Sequence, residues 1–355
     1  MTAFTDDYKG QRLQYTFGVE DGEVKLNVPK MFDRDLDFTF APPAGYRPSV
    51  QLEDLSLEEW QIRLDVAREC VHIRSELVDK ILTSLASLPD LETDQQVASC
   101  YSGGKDSAAI MVLARMRYPK DRIFAMFADT QDEWPETYQH IPEFIRWIGV
   151  RDFRQLESMG IHTLLEEKIP CWPIAKRRHC TKNLKLLPMR DHLDTAGYDQ
   201  VLKVKRGARF RPTHELQGAD VDVRYPAPLL LSGERRMEGL ARSDIQLEPE
   251  RDETLMRITA RPVLEWSIQD VWEFLFWVRA PYNPVYHWIK RVACAGCPFA
   301  GDDEMYTLGE HHPDRLRAWA RTENIIGVPR LGGVAFNKVL EDLEDSGMIG
   351  RKAVG

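Results

Sequence analysis

The chain has 355 residues, 43% of them hydrophobic and 10% aromatic, and carries a formal net charge of -9. That length and composition supply a substantial core in one large or two modest domains, and no apolar run approaches the roughly 20 residues of a membrane span. The acidic balance argues against a wrapped, histone-like DNA partner, although local basic clusters can still steer a nucleic acid; an N-terminus holding Asp6 and Asp7 has no secretory apolar block, so a cytoplasmic location is expected.

Residues 12 to 28 alternate apolar positions, Leu13, Tyr15, Phe17 and Val19 and then Val24, Leu26 and Val28, around Asp21-Gly22, which predicts a β-hairpin. The run from Pro42 to Pro48 follows as a linker, because clustered proline and glycine break helix and sheet alike. Ser56 and Glu59 then form a capping box. Trp60, Leu64, Ala67, Val71, Val78, Ile81 and Leu85 recur at helical spacing, so one helix is expected across them, with Cys70 in its core packing. From Val97 the pattern changes to strands alternating with helices, the signature of a parallel α/β sheet. Val97 to Tyr101 and Ile123 to Phe127 read as buried strands, and Ala108 to Met116 and the segment opened by Pro135 as helices. Further strands are expected near Phe153 and at Leu229 to Leu231, and a capped apolar helix from Ser267 to Trp277. Residues 201–226, polar, irregular and rich in Lys and Arg, read as a mobile basic insertion. The expected organisation is a hairpin and helical extension over 1–90, an α/β domain over 91–300 and a C-terminal helical tail over 301–355.

Between the first strand and its helix lies Ser102-Gly103-Gly104-Lys105-Asp106-Ser107. A glycine pair at such a turn lets backbone N–H groups converge on an anion, and the first turn of the helix adds its positive dipole end. Lys105 adds a full charge, Ser102 and Ser107 add hydroxyl donors, and Asp106 is suited to hold magnesium beside phosphates. The spacing differs from that of a Walker A loop, whose first glycine stands further from its Gly-Lys pair. An ordinary glycine turn with a solvated Lys–Asp pair is the competing reading. Past the second strand comes Asp129-Thr130-Gln131-Asp132-Glu133-Trp134-Pro135-Glu136-Thr137. Ligands collect at the carboxyl ends of parallel strands, so Asp129 is expected to face the same crevice. Its acids, with Thr130, can orient magnesium and a ribose, or they only complement a helix dipole.

The six-residue loop, in its strand–loop–helix context, resembles the pyrophosphate loop of the PP-loop ATP pyrophosphatases, and the Asp129 to Thr137 run is similar to a segment of the phosphoadenosine phosphosulfate reductase family. Three later stretches extend the likeness over about residues 95 to 300: Cys180 to Met189; Gly233 to Arg242, where Gly239 stands in place of the family's usual serine; and Arg261 to Trp266 with Pro281 to Tyr286 and Cys294 to Pro298. The resemblance implies an adenine nucleotide α-hydrolase-like, Rossmann-like parallel sheet flanked by helices, behind an N-terminal helical extension. It implies ATP with Mg2+, the whole of Ser102 to Ser107 on the nucleotide, and catalysis by Ser102, Lys105 and Asp106. Asp129 and Thr130 would serve magnesium or ribose, and Gly233 with Arg235 or Arg236 would meet the nucleotide's charge. Residues 1–90 lie outside the likeness and are read as a homodimer or partner interface.

Six cysteines in a chain of this kind do not read as a disulfide framework. Cys294-x-x-Cys297 before a proline presents two thiolates from one turn, as iron–sulfur and zinc sites do. Many members of the family carry a 4Fe-4S cluster, so Cys171, Cys180, Cys294 and Cys297 are the implied ligands, with His179 ranked behind Cys171; zinc or free redox thiols stay open. The family's reductases use a cysteine on a C-terminal tail, and none follows Cys297 here. The layout is similar to that of the ATP pyrophosphatase component of bacterial DNA phosphorothioation systems. That likeness implies adenylylation of a substrate and then sulfur transfer, as phosphorothioation or thiolation of nucleic acid, with a cysteine desulfurase or other sulfur donor as partner. A basic band, Lys176, Arg177, Arg178, Lys182 and Lys185 followed by Lys203, Lys205, Arg206, Arg209 and Arg211, with Trp172 and Phe210 nearby, fits either a tracked phosphate backbone or a solvated face. A sulfonucleotide reductase and a non-catalytic nucleotide-binding subunit of a modification or defence complex are the alternatives.

Overall fold

The computed structural model describes residues 40–350, apart from 175–176, 196–226, 239–241, 243–244, 253 and 256, together with the backbone of three N-terminal strands. The basic insertion expected over 201–226, and with it Lys203 to Arg211, lies outside the described residues, as does Lys176. Strands β1 (Ala3–Tyr8), β2 (Gln11–Glu20) and β3 (Glu23–Asn27) pair antiparallel in that order, with Val19 opposite Val24. The hairpin about Asp21-Gly22 is present and gains a third strand.

The single helix expected after the linker is two, α1 (Leu57–Glu69) and α2 (Ser75–Ser87). Val71 sits at φ 57, in the left-handed region that β-branched residues enter only at a cost, and this breaks the helix between them. Cys70, expected in the core, falls at the break and is exposed. The capping box holds, with the Glu59 N–H donating to Ser56 Oγ at 3.2 Å and the Glu59 carboxylate accepting the Ser56 N–H at 2.7 Å.

The chain then runs through β4 (Val97–Cys100), α3 (Lys105–Arg117), β5 (Ile123–Ala128), α4 (Pro135–Ile148) and β6 (Asp152–Leu156). Two short helices, α5 (Ile161–Thr163) and α6 (His179–Thr181), each run on into a π-helical turn before α7 (Leu187–Thr195). After these come β7 (Leu229–Leu231), β8 (Glu250–Asp252), β9 (Arg257–Ala260), α8 (Ile268–Trp277), α9 (Asp302–His311), α10 (Pro313–Ile326) and α11 (Phe336–Asp345). Six strands form one sheet in the order β6-β5-β4-β7-β9-β8, parallel throughout except for β8 on β9. This is the Rossmann-like α/β sheet with flanking helices that the alternating pattern predicts. The order turns at β4: the chain leaves it toward β5 and β6 on one side and returns at β7 on the other. Such a switch point opens a crevice at the carboxyl ends of the strands.

Alternation along β5 divides the core in two. Ile123, Ala125 and Phe127 face one layer, while Phe124, Met126 and Ala128 face the other, with Met189 and Leu193 of α7. At the centre of the first layer is α3, whose Ile110, Met111, Val112 and Leu113 are all at 0% exposure. Each such side chain contributes about 1.5–3 kcal/mol of burial, so the turn that starts α3 is held from behind. Trp60, Leu77 and Ile81 pack into the same layer, which builds residues 57–88 into the sheet's own core. A second cluster joins α9, α10 and α11 to Trp134, Trp172 and Val285. No described helix is long and apolar enough to cross a membrane.

Candidate functional site

The turn after β4 is shaped by two glycines with different tasks. Gly103 takes φ +75, and a Cβ there would lie 2.8 Å from Thr137 Cγ2. Gly104 caps α3, and a Cβ on it would meet the Tyr286 hydroxyl and Ser102 Oγ at 3.4 Å each. Gly103 is thus required by both its φ and its neighbour, while a Cβ on Gly104 would only touch. Ser107 Oγ donates to the Gly104 carbonyl at 2.8 Å and accepts from the Ser102 N–H at 3.2 Å, closing the loop on itself. The loop is also braced from far along the chain. Asn283 Nδ2 donates to the Gly103 carbonyl at 3.2 Å and to Thr137 Oγ1 at 2.8 Å, and the Lys105 N–H donates to the Tyr286 hydroxyl at 2.8 Å. Neither Asn283 nor Tyr286 is a site residue on the sequence reading. Their only signal was the run from Pro281 to Tyr286, about 180 residues downstream of the loop.

Three charges meet at the start of α3. Asp106 Oδ2 accepts from Lys105 Nζ at 2.9 Å, and its Oδ1 accepts from Arg235 Nε at 2.7 Å. Burial pushes the Asp106 carboxyl up, but the two cations and their hydrogen bonds outweigh it and hold it below the usual carboxylate range. Magnesium is the partner expected for Asp106; in this arrangement both its oxygens face cations of the protein. Gly233 brings Arg235 to this place. A Cβ on Gly233 would lie 3.0 Å from the carbonyl carbon of Asp106 and 3.2 Å from the Ser107 nitrogen, so the segment after β7 lies directly against the helix start. Arg236 turns the other way and pairs with Glu265 at 2.7 Å on the surface.

Asp129 ends β5 as expected, and its carboxylate is engaged by neutral donors. Oδ1 accepts from the Gln131 N–H and the Tyr138 hydroxyl, each at 2.7 Å, and Oδ2 from Gln155 Nε2 at 2.8 Å. Thr130 Oγ1 lies 2.9 Å from Glu133 Oε1 and 3.3 Å from Cys294 Sγ. Beside the loop, a cavity of about 340 Å³ is lined by Ser102, Gly104, Lys105, Asp106, Ser107 and Gly233, and on its other walls by Glu133, Lys185, Arg242, Arg291 and Tyr286. Asp129, Thr130, Arg235 and Arg236 are not among the lining residues, Arg235 standing behind Asp106. Lys185 Nζ is 3.9 Å from Glu133 Oε1.

The four cysteines do not form the expected ligand set. Among the described residues no three His, Cys, Asp or Glu side chains are placed as a metal site. Cys171 is exposed, and Cys294 points at Glu133 Oε1, 3.7 Å away, and at Thr130. Burial, with Glu133 beside it, pushes the Cys294 thiol far above its ordinary range, and burial likewise raises Cys297. The donor set therefore does not fit a 4Fe-4S cluster as arranged, and no step below passes through one. The turn from Cys294 to Cys297 is instead pinned by protein: Ala295 N–H donates to the Asp132 carbonyl at 2.7 Å, and Trp319 Nε1 donates to the Ala295 carbonyl and to Asp132 Oδ2, each at 2.7 Å.

Residues 96–300 match the family model described as phosphoadenosine phosphosulfate reductase domain. Two uncharacterized proteins of Methanocaldococcus jannaschii are similar to the chain: one is 25% identical over 231 residues, 65% of this chain and 41% of that one, and the other is 21% identical over 286 residues, 76% and 59%. The chain thus spans about half the length of these relatives. Among solved structures, the phosphate complex of phosphoadenylyl-sulfate reductase from Candida auris is 13% identical with a TM-score of 0.37, covering 63% of this chain and 90% of the other.

Proposed function

The chain belongs to the phosphoadenosine phosphosulfate reductase domain family, and from that premise we propose that it is a PP-loop enzyme that cleaves ATP between its α- and β-phosphates and passes AMP to an acceptor. The observation that carries this reading is the Lys105–Asp106–Arg235 cluster at the N-terminus of α3, beside a turn closed on itself, with Lys105 and Asp106 lining a cavity. An acceptor oxygen attacks the α-phosphorus, the bond to the bridging oxygen breaks, and the departing pyrophosphate takes the negative charge. Lys105, Arg235 and the first-turn N–H groups of α3 are suited to meet that charge. Magnesium enters as the ion carried by the nucleotide's phosphates.

In the fuller form of the proposal the acceptor lies in a nucleic acid, the outer sulfur of a persulfide on a cysteine desulfurase or another carrier displaces AMP, and a second thiol then cleaves the S–S bond, leaving the sulfur on the acceptor and the carrier as a disulfide with that thiol. Arg178, Lys185, Arg242 and Arg291 support an anionic acceptor, since Lys185, Arg242 and Arg291 line the cavity and Arg178 lies 4.7 Å over the ring of Phe299. Residues 1–90, 91–300 and 301–355 are proposed as extension, nucleotide domain and tail, respectively. The test is release of pyrophosphate from ATP in the presence of candidate acceptors, DNA and tRNA first. The family's name favours one other reading, reduction of a sulfonucleotide. Sulfite released from phosphoadenosine phosphosulfate with a thiol donor, without pyrophosphate from ATP, would decide for it.

A further inference from the structure

Tyr286 stands apart from the loop in sequence and against it in space. It is 5% exposed and lines the cavity, and its ring meets Trp272 edge-on at 4.7 Å and 89°, which fixes where the hydroxyl sits. The phenol oxygen accepts the Lys105 N–H at 2.8 Å and also the Val292 N–H, so both its lone pairs are taken by backbone. A phenol has one hydrogen of its own, and among the described residues none accepts it. Burial first, and then the Asp106 charge, keep that hydrogen on the oxygen by raising the phenol well above its ordinary range. A buried O–H without an acceptor is costly, and the space beside it is the cavity that Lys105 and Asp106 also line. A partner that completes it must be rich in acceptors and carry no donor of its own at that point, which describes a phosphate oxygen.

We propose that Tyr286 belongs to the anion site itself: its oxygen holds the Lys105 N–H in place while its hydroxyl hydrogen is donated to an oxygen of the bound pyrophosphate group. This rests on the adenylyl-transfer reading and adds to it a donor from outside the glycine loop. The two hydrogen bonds share one oxygen, so each polarises the other. The phenol thus transmits the position of the loop backbone to the ligand.

The test is calorimetric titration of the full chain with inorganic pyrophosphate, and separately with adenosine. Tyr286→Phe should bind pyrophosphate about ten- to hundredfold more weakly, the loss expected for one hydrogen bond to a charged group, with adenosine binding unchanged. Replacement of Tyr286 by 3-fluorotyrosine gives the opposite sign. Its phenol is a stronger donor and a weaker acceptor, so pyrophosphate binding should tighten or hold. Binding in Tyr286→Phe equal to wild type, or weakening with fluorotyrosine, would overturn the inference while leaving the pyrophosphate site standing. A wild-type protein that binds no pyrophosphate would overturn both. Should the phenylalanine variant fail to fold, the fluorotyrosine result decides alone.

Discussion

Asp106→Asn isolates the counterion at the anion site. The Lys105 and Arg235 side chains are each only 3% exposed and Asp106 19%, so the three form one largely buried group. Removing one partner of such a group costs about 3–5 kcal/mol, because charge is left uncompensated out of water. Asparagine keeps one acceptor oxygen, which reduces the loss to on the order of 2–3 kcal/mol. In a chain of this size that corresponds to a melting temperature lower by roughly 3–4 °C. The variant should also be rescued by ligand. With the carboxylate gone, pyrophosphate no longer shares the two cations, and at about 100 times its Kd it returns about 2.7 kcal/mol. Differential scanning calorimetry at one fixed pyrophosphate concentration should therefore show a larger upward shift in the variant than in wild type. Equal melting temperatures without ligand, or equal shifts with it, would refute the counterion assignment.

The same carboxylate sets an acid limb. Its folded-state pKa lies below the ordinary value, so its stabilisation is present above the usual carboxylate range and is lost as pH falls through it; Asp106→Asn should flatten that limb of the melting curve against pH. Glu304 works in the reverse sense. Burial pushes its carboxyl up to about 7, and its Oε1 has no hydrogen-bond partner among the described residues, so stability should fall as pH rises from the ordinary carboxylate range to about 7. Glu304→Gln should abolish that decline in a thermal melt series. Gly233→Ala places a methyl 3.0 Å from the Asp106 carbonyl carbon, where only backbone can yield; a loss of about 1–3 kcal/mol and at least tenfold slower pyrophosphate release are expected, and unchanged values of both would count against the close-approach argument. Arg235→Ala should abolish pyrophosphate binding, whereas Arg236→Ala, which loses a surface pair with Glu265, should change stability by no more than about 1 kcal/mol and leave binding intact.

The loop was legible because the residues that announce it are local, a glycine pair, a lysine and two serines between a buried strand and a helix, whereas its braces Asn283 and Tyr286 lie far along the chain. The sheet was legible for a similar reason, since β4, β5 and β7 are short apolar runs with clear boundaries. Asp129 shows where local reading stops. Its place at the end of β5 followed from the sequence, but its partners Tyr138 and Gln155 come from α4 and β6, and only their packing reveals that the carboxylate is already engaged. The choice between Arg235 and Arg236 was undecidable for the same reason, because neighbours in sequence point apart and the deciding contact is Gly233 against α3. The cysteines show the same limit. Cys294 and Cys297 have the separation of a metal turn, yet the Cys294 sulfur is met by Thr130 and Glu133, which no pattern of cysteines encodes.

Gly296 has a consequence for the order in which the molecule comes together. Any Cβ on it would lie 2.2 Å from Trp319 Nε1, so the indole is seated on the glycine's bare face and clamps the Cys294 turn to Asp132. Trp319 stands 24 residues past Ala295, so the turn has no indole to rest on until α10 has been made. The packing of the Cys294 turn is therefore completed by chain that follows it, and a variant lacking that indole would leave the turn and Asp132 unclamped.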